Sequence, residues 1–143
     1  MSIWFKPYTL ADVQGVPAKT LAHHLGIELT ELGPDFLAGR MPVDDRTRQP
    51  YGILHGGASV ALAETLGSVA ASLCIDPAKS RCVGLEINAN HLRSVSDGFV
   101  YGVARPVHVG ARSHVWEIRI SDPQQRPVCI SRITMFILDH PAQ

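Results

Sequence analysis

The chain has 143 residues, 45% of them hydrophobic and 18% charged, with 13 basic residues balancing 13 acidic ones. That length predicts one domain over residues 1–143, burying roughly 70% of its unfolded surface, and the composition excludes intrinsic disorder. Zero formal charge removes any general pull toward nucleic acid, and the apolar runs are too interrupted for a membrane span.

The N-terminus, Met-Ser-Ile-Trp-Phe-Lys-Pro, has no apolar core or small-residue cleavage site of a secretory signal, so a cytoplasmic protein is expected. Residues 9–25 predict short helical pieces, with Gly26 as a stop after Leu21–Leu25. Gly26–Leu32 and Phe36–Val43 predict two strands turning at Gly33-Pro34-Asp35. A polar loop, Asp44–Tyr51, leads into a helix that starts near His55-Gly56-Gly57 and continues to Leu73, with Asp76-Pro77 beyond it. Four strand-like runs follow: Cys82–His91, Phe99–Val107, Ser113–Ser121 and Pro127–Leu138. In the first, alternation places Val83, Leu85, Ile87 and Ala89 on the face toward the helix and Glu86, Asn88 and Asn90 on the other. A subunit contact is expected for Glu86. One long helix followed by hairpin-connected strands indicates an α+β fold, an antiparallel sheet wrapped around the helix. Its exposed edges invite association with a second copy. Cys74, Cys82 and Cys129 are odd in number and lack Cys-x-x-Cys spacing, which predicts reduced thiols.

Glu64 is the anomaly. From Gly56 to Leu73 nearly every other residue is Ala, Val, Leu, Gly, Ser or Thr, so this helix reads as buried on nearly all sides. An unpartnered carboxylate in such a place costs several kcal/mol, and function is the usual reason to keep one. The helix N-terminus at His55-Gly56-Gly57 offers unpaired N–H groups and the positive end of the dipole. A buried acid beside a backbone anion site points to acyl chemistry. Ser68, four residues after Glu64, shares its helix face, where its hydroxyl is expected to hold the carboxylate or a water.

The ordered blocks Met-Pro-Val-Asp at 41–44, Gln49-Pro50-Tyr51-Gly52, Leu54-His55-Gly56-Gly57-Ala58-Ser59, Ala63-Glu64, Gly67-Ser68 and Gly84 through His91, followed by Arg93-Ser94, resemble the hotdog-fold acyl-CoA thioesterases of the phenylacetate type. The likeness runs over residues 25–138 and is strongest to the branch that cleaves hydroxybenzoyl- and hydroxynaphthoyl-type thioesters. It implies that Glu64 attacks the thioester carbonyl or activates a water. It further implies that the Gly56 N–H polarises the carbonyl, that His55 hydrogen-bonds in the site, and that Gln49 positions the carbonyl or the water. Coenzyme A is implied at Gly84, at His91, Leu92, Arg93 and Ser94, and at a turn formed by His108, Val109, Gly110, Ala111, Arg112 and Ser113. Lys79 and Arg81 add positive potential. The resemblance also implies a homo-oligomer, a dimer of dimers, whose site joins Gln49, His55 and Gly56 of one chain to Glu64 and Ser68 of another.

No metal is expected, because the seven histidines show neither His-Glu-x-x-His nor paired Cys/His spacing. Coenzyme A enters only as part of the substrate, so no cofactor is expected. Ser59 and Ser68 lack a Gly-x-Ser-x-Gly setting, which argues against a serine nucleophile. Two rival readings remain: a hotdog hydratase or dehydratase, and a non-catalytic acyl-CoA-binding module.

Overall fold

This computed structural model describes residues 1–141. The elements are α1 (Leu10–Val13), α2 (Leu21–His24), β1 (Glu28–Leu32), β2 (Leu37–Pro42), α3 (Gly56–Leu73), β3 (Ser80–His91), β4 (Phe99–Val109), β5 (Ser113–Ser121) and β6 (Pro127–Asp139). The first two are single turns, and Gly26 closes the second with a φ of 71°, a left-handed conformation that glycine adopts without strain.

The six strands form one antiparallel sheet in the order β1-β2-β4-β5-β6-β3. Its inner face packs on α3, giving the expected hotdog arrangement. Leu62, Ala63, Leu66, Gly67, Ala70 and Ala71 are buried and recur at three- and four-residue spacing, the face a helix turns toward a core. Opposite them lie Trp116, Ile118, Ile120, Ile133 and Met135. The N-terminal segment closes one end. Trp4 stacks on Trp116 with ring centroids 6.3 Å apart, and its indole N–H donates to Gly33 O at 2.8 Å.

Four expectations need correction. First, β3 is not joined to β4 by a hairpin. It lies at the far edge beside β6, and residues 92–98 cross the end of the sheet to reach β4 next to β2. Second, the strict alternation in β3 fails at a bulge. Gly84 pairs with Met135 and Glu86 with Thr134, leaving Leu85 as the extra residue, and a bulge reverses which face later residues occupy. Ile87 and Ala89 still pack on the core, while Val83 and Leu85 are 44% and 67% exposed. Third, α3 is not buried all round. Ala61, Glu64, Thr65 and Ser68 are half-buried and Ser72 is exposed; among the described residues no further layer covers this stripe. Fourth, His108 and Val109 belong to β4 and Ser113 to β5, so only Gly110–Arg112 forms the connection, closed by Gly110 N–H donating to Ser113 O at 3.0 Å.

Candidate active site

The residues singled out above separate into two clusters, one at the N-terminus of α3 and one around its middle, toward opposite ends of the sheet. The first surrounds the N-terminus of α3. His55 is the N-cap residue, and its Nδ1 accepts the Gly57 N–H at 2.8 Å. With Nδ1 as acceptor, the imidazole proton sits on Nε2. Capping takes the Gly57 donor and leaves the Gly56 N–H without an acceptor among the described residues, at the positive end of the helix dipole. A Cβ at Gly56 would lie 2.9 Å from His91 Nε2, so the His91 ring would have to shift to admit one. Gln49 Oε1 accepts the Tyr51 N–H, which fixes its amide beside this turn.

Gln49, Gly56, His91, Leu92, Arg93 and Ser94 line one open groove of about 420 Å³. The end of β3 brings His91 there, and the crossing segment after it brings the last three. The Leu92 N–H donates to Val128 O at 2.8 Å, which carries the chain from β3 across the end of β6. Sequence reading missed Ile53, Leu54, Ser59 and Val128, which line the same groove. The first three are sequence neighbours of Gln49 and Gly56; Val128 gives no local signal, since only the sheet pairing delivers it.

The second cluster lies along α3 toward its C-terminus. Glu64 is half-buried, and burial alone raises its carboxyl above the usual glutamate value of 4.5. Its carboxylate reaches over Gly84, where a Cβ would lie 2.5 Å from Oε1. The carboxylate accepts no hydrogen bond from the described residues. The Ser68 hydroxyl, expected to hold this carboxylate or a water, points to Met135 Sδ at 3.8 Å rather than to Glu64. Gly84, Met135, His114 and Val109 pair in one row across β3, β6, β5 and β4. That row places His108, Val109, Gly110, Ala111, Arg112 and Ser113 at the Glu64 end of the sheet.

His91 pairs with Cys129 at the other end. Six residue steps along β6 separate Cys129 from Met135, roughly 20 Å of strand. From Gly56 to Glu64 the helix rises about 12 Å. A carbonyl that touches both the Gly56 N–H and the Glu64 carboxylate does not fit within one chain, nor does one ligand spanning His91–Ser94 and His108–Ser113 follow from one chain's geometry.

Near the Glu64 cluster, the Ser72 hydroxyl lies 3.1 Å from Cys82 Sγ. Burial pushes the Cys74 thiol up to about 12, with Cys82 beside it, and raises Cys82 as well. Both shifts favour the protonated, less nucleophilic thiol. Among the described residues, no group of three or more His, Cys, Asp and Glu side chains is arranged to hold a metal ion, and no helix is long and apolar enough to cross a membrane.

Residues 51–129 match the family model described as the thioesterase superfamily. The chain is 48% identical over 136 residues to the 1,4-dihydroxy-2-naphthoyl-CoA hydrolase of Escherichia coli, covering 95% of this chain and 99% of that protein. It is 50% identical over 136 residues to the proofreading thioesterase EntH of Cronobacter turicensis, covering 95% and 98%. The crystal structure of a mutant thioesterase from Pseudomonas aeruginosa superposes with a TM-score of 0.94 at 45% identity, covering 97% of this chain and all of that one.

Proposed function

The chain belongs to the thioesterase superfamily, and from that premise we propose that it hydrolyses acyl-CoA thioesters whose acyl group is aromatic, of the hydroxybenzoyl or hydroxynaphthoyl kind. The likeness to a naphthoyl-CoA hydrolase supports that substrate class. The observation that carries the mechanism is the division of the site into two clusters, each incomplete alone. A two-fold dimer supplies each with the other, so that Gln49, His55 and Gly56 of one chain face Glu64 and Ser68 of the partner subunit. Edge strand β3, twelve residues long and unpaired on one side, suits such a junction. The further pairing of two dimers into a tetramer is part of the same reading.

The chemistry follows from the groups. The thioester oxygen accepts the Gly56 N–H and the Gln49 amide, donors that strengthen as negative charge builds on it. Glu64 of the partner subunit has no hydrogen-bonding partner among the described residues of its own chain and is raised by burial, which makes it a stronger base or nucleophile than a solvated carboxylate. It either takes a proton from a water that attacks the carbonyl carbon, or attacks that carbon itself and is released by water. In both routes the C–S bond breaks and coenzyme A leaves as the thiol. His91, Arg93 and Ser94, with the His108–Ser113 hairpin of the partner subunit, offer cations and N–H groups for the coenzyme A phosphates.

The test is thiol release from 4-hydroxybenzoyl-, 1,4-dihydroxy-2-naphthoyl-, phenylacetyl-, hexanoyl- and palmitoyl-CoA by wild type and Glu64→Gln. The expected result is release from the aromatic members that falls at least ~10³-fold in the variant. No release from any member, or equal rates in both proteins, overturns the reading.

A further inference from the structure

We propose that Thr47 is the positioning residue for the Gly56 N–H. The inference rests on the reading of Gly56 as the donor to the thioester oxygen and goes beyond it. Thr47 is 2% exposed, an unusual place for a polar side chain in a surface loop, and buried hydroxyls are kept where they bond. Its hydroxyl donates to Pro42 O, at the end of β2, at 2.7 Å, and accepts the Asp44 N–H at 3.1 Å. Its own backbone carbonyl accepts the His55 N–H at 2.8 Å. One residue therefore ties the core sheet to the residue directly before Gly56.

That tie bears on orientation. The Gly56 N–H belongs to the peptide plane that carries the His55 carbonyl. On the helix side this plane is held by Ala58 N–H and Ser59 N–H, which donate to His55 O at 2.9 and 3.3 Å. On the loop side it is held through the His55 N–H bond to Thr47 O. With both ends fixed, the plane does not swing about the His55 backbone, and the Gly56 N–H keeps its direction. Without the Thr47 hydroxyl, Pro42 O and the Asp44 N–H lose their partner, the turn relaxes, and Thr47 O moves with it. A donor displaced by a fraction of an ångström to an ångström loses most of its preference for the transition state, while ground-state binding elsewhere persists.

The experiment compares Thr47→Val, which keeps the shape and deletes the hydroxyl, with Thr47→Ser, which keeps the hydroxyl, on an aromatic acyl-CoA. Ser131→Ala serves as control, since Ser131 makes the same kind of hydroxyl-to-carbonyl bond, to Asn88 O at 2.8 Å, outside both clusters. The expected result is a kcat about 10–100-fold lower in Thr47→Val, with KM within about twofold of wild type. Thr47→Ser is expected within about threefold of wild-type kcat, and Ser131→Ala is expected to lower Tm but not kcat. The proposal is overturned by an unchanged kcat in Thr47→Val, by a loss that appears in KM instead, by failure of serine to rescue, or by an equal kcat loss in Ser131→Ala. If the valine chain does not fold, Thr47→Ala and Thr47→Ser make the same comparison of hydroxyl absent and present. Failure of the underlying reading looks different: wild type itself releases no thiol, or Glu64→Gln is fully active.

Discussion

Glu64 is a single carboxylate held half-buried without a hydrogen-bonding partner among the described residues, and its energetics are therefore readable. Burial disfavours the ionised form, so the folded chain holds the proton to higher pH than the unfolded chain does. Below the usual value of 4.5 both states are protonated and the group costs nothing. As pH rises through 4.5, the unfolded chain releases its proton first, and stability falls until the folded carboxyl ionises too. Glu64→Gln escapes that loss. The variant is expected to be more stable than wild type at pH 7, with the difference shrinking toward pH 4, measured as the denaturant midpoint across that range. A variant less stable at pH 7 would mean the carboxylate has a stabilising partner, and the half-buried, unpaired description would be wrong. Wild-type kcat/KM should in turn show an acid limb above the usual glutamate value, since the ionised form reacts.

At the scale of elements, α3 and its neighbouring strands decide what a residue change does. Gly67 is buried against β6, and a Cβ there would lie 2.6 Å from Ile133 Cγ2, a branched methyl with little freedom to move. Gly67→Ala gains about 1 kcal/mol of helix propensity but forces overpacking worth about 1–3 kcal/mol, so a lower Tm is expected. Gly84→Ala meets the end of the flexible Glu64 side chain instead. Tm should hold there while thiol release falls, because the carboxylate must move aside. Equal Tm losses in the two variants would contradict that distinction. Both close approaches were invisible in the sequence, where Gly67 and Gly84 are only small residues in apolar runs. What the sequence did show was local. The apolar run that makes α3, its start at His55-Gly56-Gly57, the Gly26 stop and the strand runs after Asp76-Pro77 follow from short-range propensity. The bulge at Leu85 and the crossing of residues 92–98 depend on pairing between distant strands, and period-2 alternation carries no record of either. Glu64 stood out as an acid in an apolar helix, whereas Thr47 looked like any polar loop residue until its burial was known.

For the whole molecule, the placement of the two clusters makes a quantitative claim. His55 and Gln49 sit at the N-terminus of α3 and Glu64 halfway along it, and the hairpin after β4 lies at the end of the sheet that Glu64 reaches. If each working site takes Gln49 from one subunit and Glu64 from the other, two inactive variants can complement. A Gln49→Ala chain paired with a Glu64→Gln chain builds one site with both residues intact and one with neither. Random re-pairing after unfolding and refolding an equal mixture gives half mixed dimers. About a quarter of all sites, and so about a quarter of wild-type turnover, should return from two proteins that are each nearly inactive. Mixing without subunit exchange should restore nothing, which separates reassembly from contamination. A site contained within one chain predicts no recovery under either condition, because every chain would carry a lesion. The ~12 Å of helix between Gly56 and Glu64 is the physical reason to expect the quarter rather than zero.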